Sequence, residues 1–119
     1  MISKKKFCFD IDGVVCQTIN NNYKKSKPFN NSVALINELY AKGHTIIIFT
    51  ARYMGRNKEN SLKVKKQYYK KTHKTLLNWG LKFDLLIMGK PSYDIFVDDK
   101  NYNFKKNWVK SFEKKYIKK

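Results

Sequence analysis

The sequence has little of what would place it among secreted or membrane proteins. Its 119 residues include two cysteines, Cys8 and Cys16, which is too few for a disulfide framework. No apolar run approaches the roughly 18 residues of a membrane span, and the N-terminus lacks the apolar stretch of a signal peptide. We therefore expect a single domain over residues 1–119, a reducing cytoplasmic setting and no membrane partner.

Acidic residues and arginine are also scarce, so the charge is one-sided. The chain has 26 lysines and arginines against 9 aspartates and glutamates, a formal net charge of +17, and only Arg52 and Arg56 are arginines. Such a charge permits binding to nucleic acid. Abundant lysine and asparagine, however, are also typical of a solvated surface encoded by an AT-rich genome, and we favour that interpretation. Nucleic acid is thus allowed as a partner but not favoured.

Apolar runs alternate with helical patterns along the chain, which is typical of a parallel α/β sheet. Strands are predicted at residues 7–11, 45–50, 83–88 and, as a short fourth strand, 94–97. Helices are predicted after residue 31, at about 58–79, and from about Asn101, where Phe104, Trp108, Phe112 and Tyr116 recur at i, i+4 spacing. Right-handed crossovers between parallel strands would give a three-layer α/β/α sandwich.

Polar residues cluster at the ends of the predicted strands. In strand order they are Asp10 and Asp12, Thr50 and Arg52, Lys90, and Asp98 and Asp99. Ligands of open α/β sheets bind outside the carboxyl ends of the strands, so a functional site is expected there. Two carboxylates at i and i+2 of a strand point the same way and repel each other unless a cation neutralises them. Oxygen ligands of this kind suit Mg²⁺, and Lys90 offers a positive charge for phosphate oxygens.

These residues resemble, in order, the four motifs of the haloacid dehalogenase superfamily. The motifs are Asp10-Ile11-Asp12-Gly13-Val14, then Thr50, Lys90 and the pair Asp98-Asp99. The likeness extends from about residue 6 to about residue 105. It implies a Rossmann-like parallel sheet and a Mg²⁺-dependent phosphomonoester hydrolase.

The resemblance also implies a role for each motif residue. Asp10 would attack phosphorus and form an aspartyl-phosphate, and Asp12 would act as general acid and base. Thr50 and Lys90 would bind the phosphoryl group. Mg²⁺ would be held by Asp10, by the backbone carbonyl of Asp12 and by the acidic pair, with Asp99 as the expected direct ligand and Asp98 in support.

Two assignments stay open in the sequence. Lys90 precedes Asp98 by only eight residues, a shorter interval than in many relatives, and Lys100 is therefore a rival for the phosphate-binding lysine. Arg52, in the substrate-binding stretch Thr50-Ala51-Arg52, either grips a second anionic group or pairs with an acid of the site.

The segments in which the superfamily carries its cap domain are too short in this chain to form one. The loop at residues 13–31 is too short for a folded lid, and only about five residues separate the third and fourth predicted strands. A capless enzyme can close its site with a neighbouring subunit, so a homo-oligomer is an expectation. The full pattern resembles small bacterial phosphatases of capsule and lipopolysaccharide biosynthesis, which favours a sugar phosphate or related small metabolite as substrate. The alternatives are a nucleotide or polynucleotide phosphatase and a catalytically silent binding protein.

Overall fold

The main sheet of the computed structural model, which describes residues 3–117, has three parallel strands. These are β1 (Lys6–Phe9), β4 (Thr45–Thr50) and β5 (Leu85–Met88), with β4 in the centre. Between β1 and β4 the chain forms a short antiparallel ribbon of β2 (Cys16–Gln17) and β3 (Lys27–Pro28). The run of β-branched residues in β4 suits a strand with neighbours on both sides. The predicted α/β class with a parallel sheet is confirmed.

The helices are α1 (Asn30–Ala41), α2 (Ser61–Asn78) and α3 (Trp108–Tyr116). The side chain of Asn60 caps α2 by accepting a hydrogen bond from the backbone N–H of Lys63 at 3.1 Å. Gly80, at a φ of +76°, follows the end of α2 and permits the left-handed turn that stops it. None of the helices within residues 3–117 has the length and apolar composition that crossing a membrane requires.

The helices cover one face of the sheet. Ile46 and Ile48 of β4 are fully buried, and their register partners Phe7 and Phe9 of β1 share that face. Phe112 of α3 contacts both phenylalanines, with ring centroids 5.4 and 5.8 Å apart, while α1 packs on β4 and α2 on β5. On the opposite face of β5, Leu85 and Ile87 are 52% and 39% exposed. The described residues therefore do not complete a third layer at β5, and the three-layer sandwich remains a proposal.

The predicted fourth strand at residues 94–97 is wrong, because the segment forms no strand. Ile95 and Val97 are 82% and 91% exposed. The physical reason is the length of the connection. β1 and β5 flank β4, so a parallel strand beside β1 would need a crossover of about a dozen residues or more, and the chain has too few after Met88. Segment 91–101 consequently remains an exposed connection.

The last predicted helix exists but starts later than the spacing of its aromatic residues suggests. It begins at Trp108, and Phe104 precedes it and is 57% exposed. Trp108 and Phe112 are buried because they meet the phenylalanines of β1. Helical spacing thus predicted the buried face of α3 correctly. The helix begins at Trp108, the first residue of the stripe that packs against β1.

Candidate active site

Asp10 and Lys90 follow two different strands and meet at the carboxyl edge of the sheet. Lys90 Nζ lies 3.5 Å from Asp10 Oδ2, and the backbone N–H of Ile11 donates to Asp10 Oδ1 at 2.8 Å. Burial raises the pKa of Asp10 above its usual range, although Lys90 opposes the shift. Burial also disfavours the charged form of Lys90, but Tyr93 and Asp10 outweigh it and raise the pKa of Lys90. The pair is a carboxylate held beside a partly desolvated cation.

Thr50 connects the ends of β4 and β5. Its side chain is fully buried, and its Oγ1 accepts a hydrogen bond from the backbone N–H of Arg52 at 3.0 Å. Its backbone carbonyl accepts one from the N–H of Lys90 at 3.1 Å. The hydrogen bond from Lys90 to Thr50 therefore fixes the backbone position of Lys90. The hydroxyl is turned into the protein, while Ala51 is half-buried at the same edge.

Asp12 forms a two-pronged ion pair with Arg52. Arg52 Nε donates to Asp12 Oδ2 and Nη2 donates to Oδ1, both at 2.9 Å. The Arg52 side chain is 2% exposed and the Asp12 side chain 29%. The sequence left two interpretations open for Arg52. The structure shows the second of them, in which Arg52 pairs with an acid of the site.

A polar network from the β2–β3 ribbon surrounds this ion pair. The hydroxyl of Thr18 donates to Asp12 Oδ1 and shares a 2.6 Å hydrogen bond with Ser26 Oγ. Arg52 Nη2 donates to the same Ser26 oxygen at 2.9 Å. Sequence reasoning missed Thr18 and Ser26, because they reach the Asp12–Arg52 ion pair only through the pairing of Cys16 with Pro28 and of Gln17 with Lys27. No local sequence pattern in the irregular loop at residues 13–31 predicts that pairing.

Asp98 lines the same cavity as Asp10, whereas Asp99 does not. A cavity of about 570 Å³, called here the nucleophile cavity, is lined among others by Asp10, Lys90, Tyr93, Phe96, Asp98 and Lys100. Both acids of the predicted pair are exposed, as is Lys100. Lys90 is buried, and its Nζ forms an ion pair with the carboxylate of Asp10. Lys100, the other candidate, forms no ion pair with Asp10 among the described residues.

The acidic residues fit Mg²⁺ in chemistry but are not gathered into one ligand group. Within residues 3–117, no three histidine, cysteine or acidic side chains converge as metal ligands. Asp10 and Asp98 nevertheless line one cavity, and Mg²⁺ commonly takes one or two carboxylates, with water and substrate phosphate completing its shell. Asp12, whose two carboxylate oxygens face Arg52, would contribute through its backbone carbonyl at most.

Comparison with known proteins gives information on the fold alone. No family model matches the chain, and no curated protein matches it either. Among solved structures, the fold is similar to the crystal structure of a structural genomics target from Vibrio cholerae, with a TM-score of 0.75 and 22% identity. The alignment covers 93% of this chain and 98% of the other. At this identity the likeness supports a shared α/β fold alone.

Proposed function

We propose that this chain is a capless phosphomonoester hydrolase of the haloacid dehalogenase type, acting through an aspartyl-phosphate. The observation that carries the proposal is the approach of Lys90 to Asp10 at the carboxyl edge of a parallel sheet. A phosphatase of this kind needs a nucleophilic carboxylate beside a fixed cation, since the dianionic phosphate must be drawn to a negatively charged group. Lys90 meets that need because it partly neutralises Asp10 and faces the same cavity.

The proposed reaction has two displacements at phosphorus. In the first, an Asp10 carboxylate oxygen forms a bond to phosphorus while the bond to the leaving oxygen breaks, and the alcohol departs with a proton. In the second, a water attacks phosphorus, gives up a proton, and releases phosphate and the Asp10 carboxylate. Asp12 would serve as the proton donor and then the acceptor.

Mg²⁺ is the proposed cofactor, with Asp10 and Asp98 as the side chains that would hold it and Asp99 in support. When bound, it would neutralise charge on the phosphoryl oxygens. The remaining stabilisation falls to this chain's own residues. Lys90 holds positive charge beside Asp10, and Thr50 fixes the backbone of Lys90 through its carbonyl.

The proposed substrate is a sugar phosphate or a related small phosphorylated metabolite. A site without a lid suits this class if a second copy of the chain covers it, so a homo-oligomer belongs to the proposal. A nucleotide or polynucleotide phosphatase is the second candidate, favoured by the net charge of +17. A catalytically silent binding protein of the same fold is the third.

The experiment is a phosphatase panel with purified protein and Mg²⁺, covering sugar phosphates, nucleotides and 3′-phosphorylated oligonucleotides. The Asp10→Asn variant keeps the shape of the side chain and removes the nucleophile. We expect turnover by the wild type on one class, loss of turnover in Asp10→Asn, and loss on chelation of Mg²⁺. Near-wild-type turnover by Asp10→Asn would refute the covalent route, and no turnover on any substrate would favour the silent binding protein.

A further inference from the structure

A second cavity, of about 200 Å³, lies beside Arg52 and is called here the arginine cavity. It is lined by residues of the turn at Tyr23–Lys25, the chain after β4 and the last turns of α2. The lining residues that matter below are Tyr23, Lys24, Ser26, Arg52, Lys71 and Trp79. Neither Asp10 nor Lys90 lines it, so it is separate from the nucleophile cavity.

The arginine cavity is positively charged and has no acid among the described residues that line it. Lys24, Arg52 and Lys71 all line it, and they come from three separate elements of the chain. The ion pairs within residues 3–117 are Arg52–Asp12 and Lys90–Asp10, so neither Lys24 nor Lys71 has an acidic partner there. Positive charges that line one concavity raise its local potential, which favours an anion there over a neutral or cationic ligand.

Arg52 is arranged to serve both Asp12 and the arginine cavity. Its Nε and Nη2 atoms donate to Asp12, Cys16 and Ser26, whereas Nη1 has no hydrogen-bond partner among the described residues. The guanidinium carbon lies 4.6 Å from the ring centroid of Tyr23 and 5.8 Å from that of Trp79. These aromatic contacts hold the guanidinium in place and strip it of water. Nη1 is therefore a fixed, partly desolvated donor that the ion pair leaves unused.

The size of the arginine cavity selects one compact group. Pockets that enclose a whole drug-sized ligand measure about 300–1,000 Å³, and this one is smaller. Three cationic donors suit a tetrahedral dianion better than a carboxylate, because each can take a separate oxygen. We propose that the arginine cavity binds a phosphate group, held by Lys24, Lys71 and Arg52 Nη1. Since both lysines are exposed, solvent screens part of the attraction and the affinity is modest.

The test is a chemical-shift titration of ¹⁵N-labelled Asp10→Asn protein in a chelator, so that neither turnover nor Mg²⁺ contributes. One arm uses inorganic phosphate and the other fructose 1,6-bisphosphate, both at constant ionic strength. Lys71→Ala is compared with Lys74→Ala, which removes the same charge from the same helix at a residue that does not line the cavity. Lys24→Ala is the second cavity variant, and circular dichroism confirms that each variant is folded.

We expect saturable shifts at residues 23–26 and 75–79, and binding weakened about tenfold by Lys71→Ala, which is the loss of one charge-assisted hydrogen bond. Lys74→Ala should change it by less than about twofold, through long-range charge alone. Binding of inorganic phosphate would identify a free-phosphate site, and binding of the bisphosphate alone would identify a second phosphate of the substrate. Equal effects of Lys71→Ala and Lys74→Ala in both arms, or no saturable shifts, would overturn the proposal. Because binding is measured without turnover, the titration tests the phosphate site independently of the proposed function, and only its interpretation as a second substrate phosphate rests on that function.

Discussion

Lys90 Nζ lies 3.5 Å from Asp10 Oδ2, although the two residues follow strands that are not neighbours in the sheet. The central strand β4 separates β1 from β5, and Thr50 at its end binds the backbone of Lys90. The carboxyl edge of the sheet therefore carries a carboxylate and a cation at opposite sides of one strand. A phosphate drawn to Lys90 would arrive beside the Asp10 oxygen.

The first prediction separates Lys90 from Lys100. Lys90→Ala should lower kcat about a hundredfold, the usual effect of removing one preorganised donor to the transition state. Lys100→Ala, which removes an exposed lysine of the same cavity, should lower it less than about tenfold. Steady-state kinetics on the substrate found by the panel measures both. A larger loss in Lys100→Ala would transfer the phosphate-binding role to that lysine.

The second prediction concerns the stability that Arg52 confers. Arg52→Ala leaves the partly buried carboxylate of Asp12 unpaired and should lower the free energy of unfolding by on the order of 2 kcal/mol. The value lies below that for fully buried pairs because 29% of the Asp12 side chain is exposed. Arg52→Lys should recover little of it, because an ammonium cannot donate the two parallel hydrogen bonds. Urea denaturation followed by circular dichroism measures the change.

Arg56→Ala is the matched control for Arg52. Arg56 is exposed, donates to the carbonyl of Asn21 at 2.8 Å, and stacks near Tyr23 and Tyr53. Its loss should cost less than about 1 kcal/mol. Equal destabilisation by the two alanine variants would contradict the importance of the Asp12 pair.

The third prediction compares two aromatic residues of the same predicted stripe. Phe112 is 5% exposed and packs on Phe7 and Phe9, so Phe112→Ala should destabilise the fold by about 3–5 kcal/mol. Phe104 lies before α3 and is 57% exposed, so Phe104→Ala should cost less than about 1 kcal/mol. Thermal or urea unfolding of the pair gives the difference. Similar losses would mean that α3 begins before Trp108.

The fourth prediction is a loss of stability in mild acid caused by His44. This residue is buried at the start of the β4 region, and its Nδ1 accepts a hydrogen bond from the backbone N–H of Lys5 at 3.0 Å. Burial, followed by the charges of Lys4, Lys5 and Lys42, lowers the pKa of His44 below its usual value of 6.5. Protonation would place a charge in the protein and remove the acceptor for Lys5.

A depressed histidine pKa means that the unfolded chain binds this proton more readily than the folded one. The stability is therefore fully present above the unfolded pKa of about 6.5 and is lost as pH falls through the folded pKa. Urea midpoints should decline as pH falls below about 6.5, before most carboxylates titrate. His44→Asn, which keeps an acceptor but cannot titrate, should flatten that decline. An unchanged slope in His44→Asn would refute the assignment.

Local periodicity in the sequence predicts β4, β5, α1 and α2, each to within a few residues of its observed bounds. Their apolar spacing and their glycine stops are properties of neighbouring residues, so they are readable without the fold. The meeting of Asp10 with Lys90 was predictable for a related reason. Both follow parallel strands, and the carboxyl ends of parallel strands share one edge.

Contacts between distant residues decided the rest. Arg52 could serve Asp12 or a bound anion as far as sequence spacing goes, and the ribbon carrying Thr18 and Ser26 assigned two of its nitrogens to Asp12. The apolar residues at 94–97 have strand character, but their short connection to β5 offers no crossover to the open side of β1. The length of a connection and the partners of a side chain depend on residues far apart in the sequence, so a short stretch of sequence does not determine them.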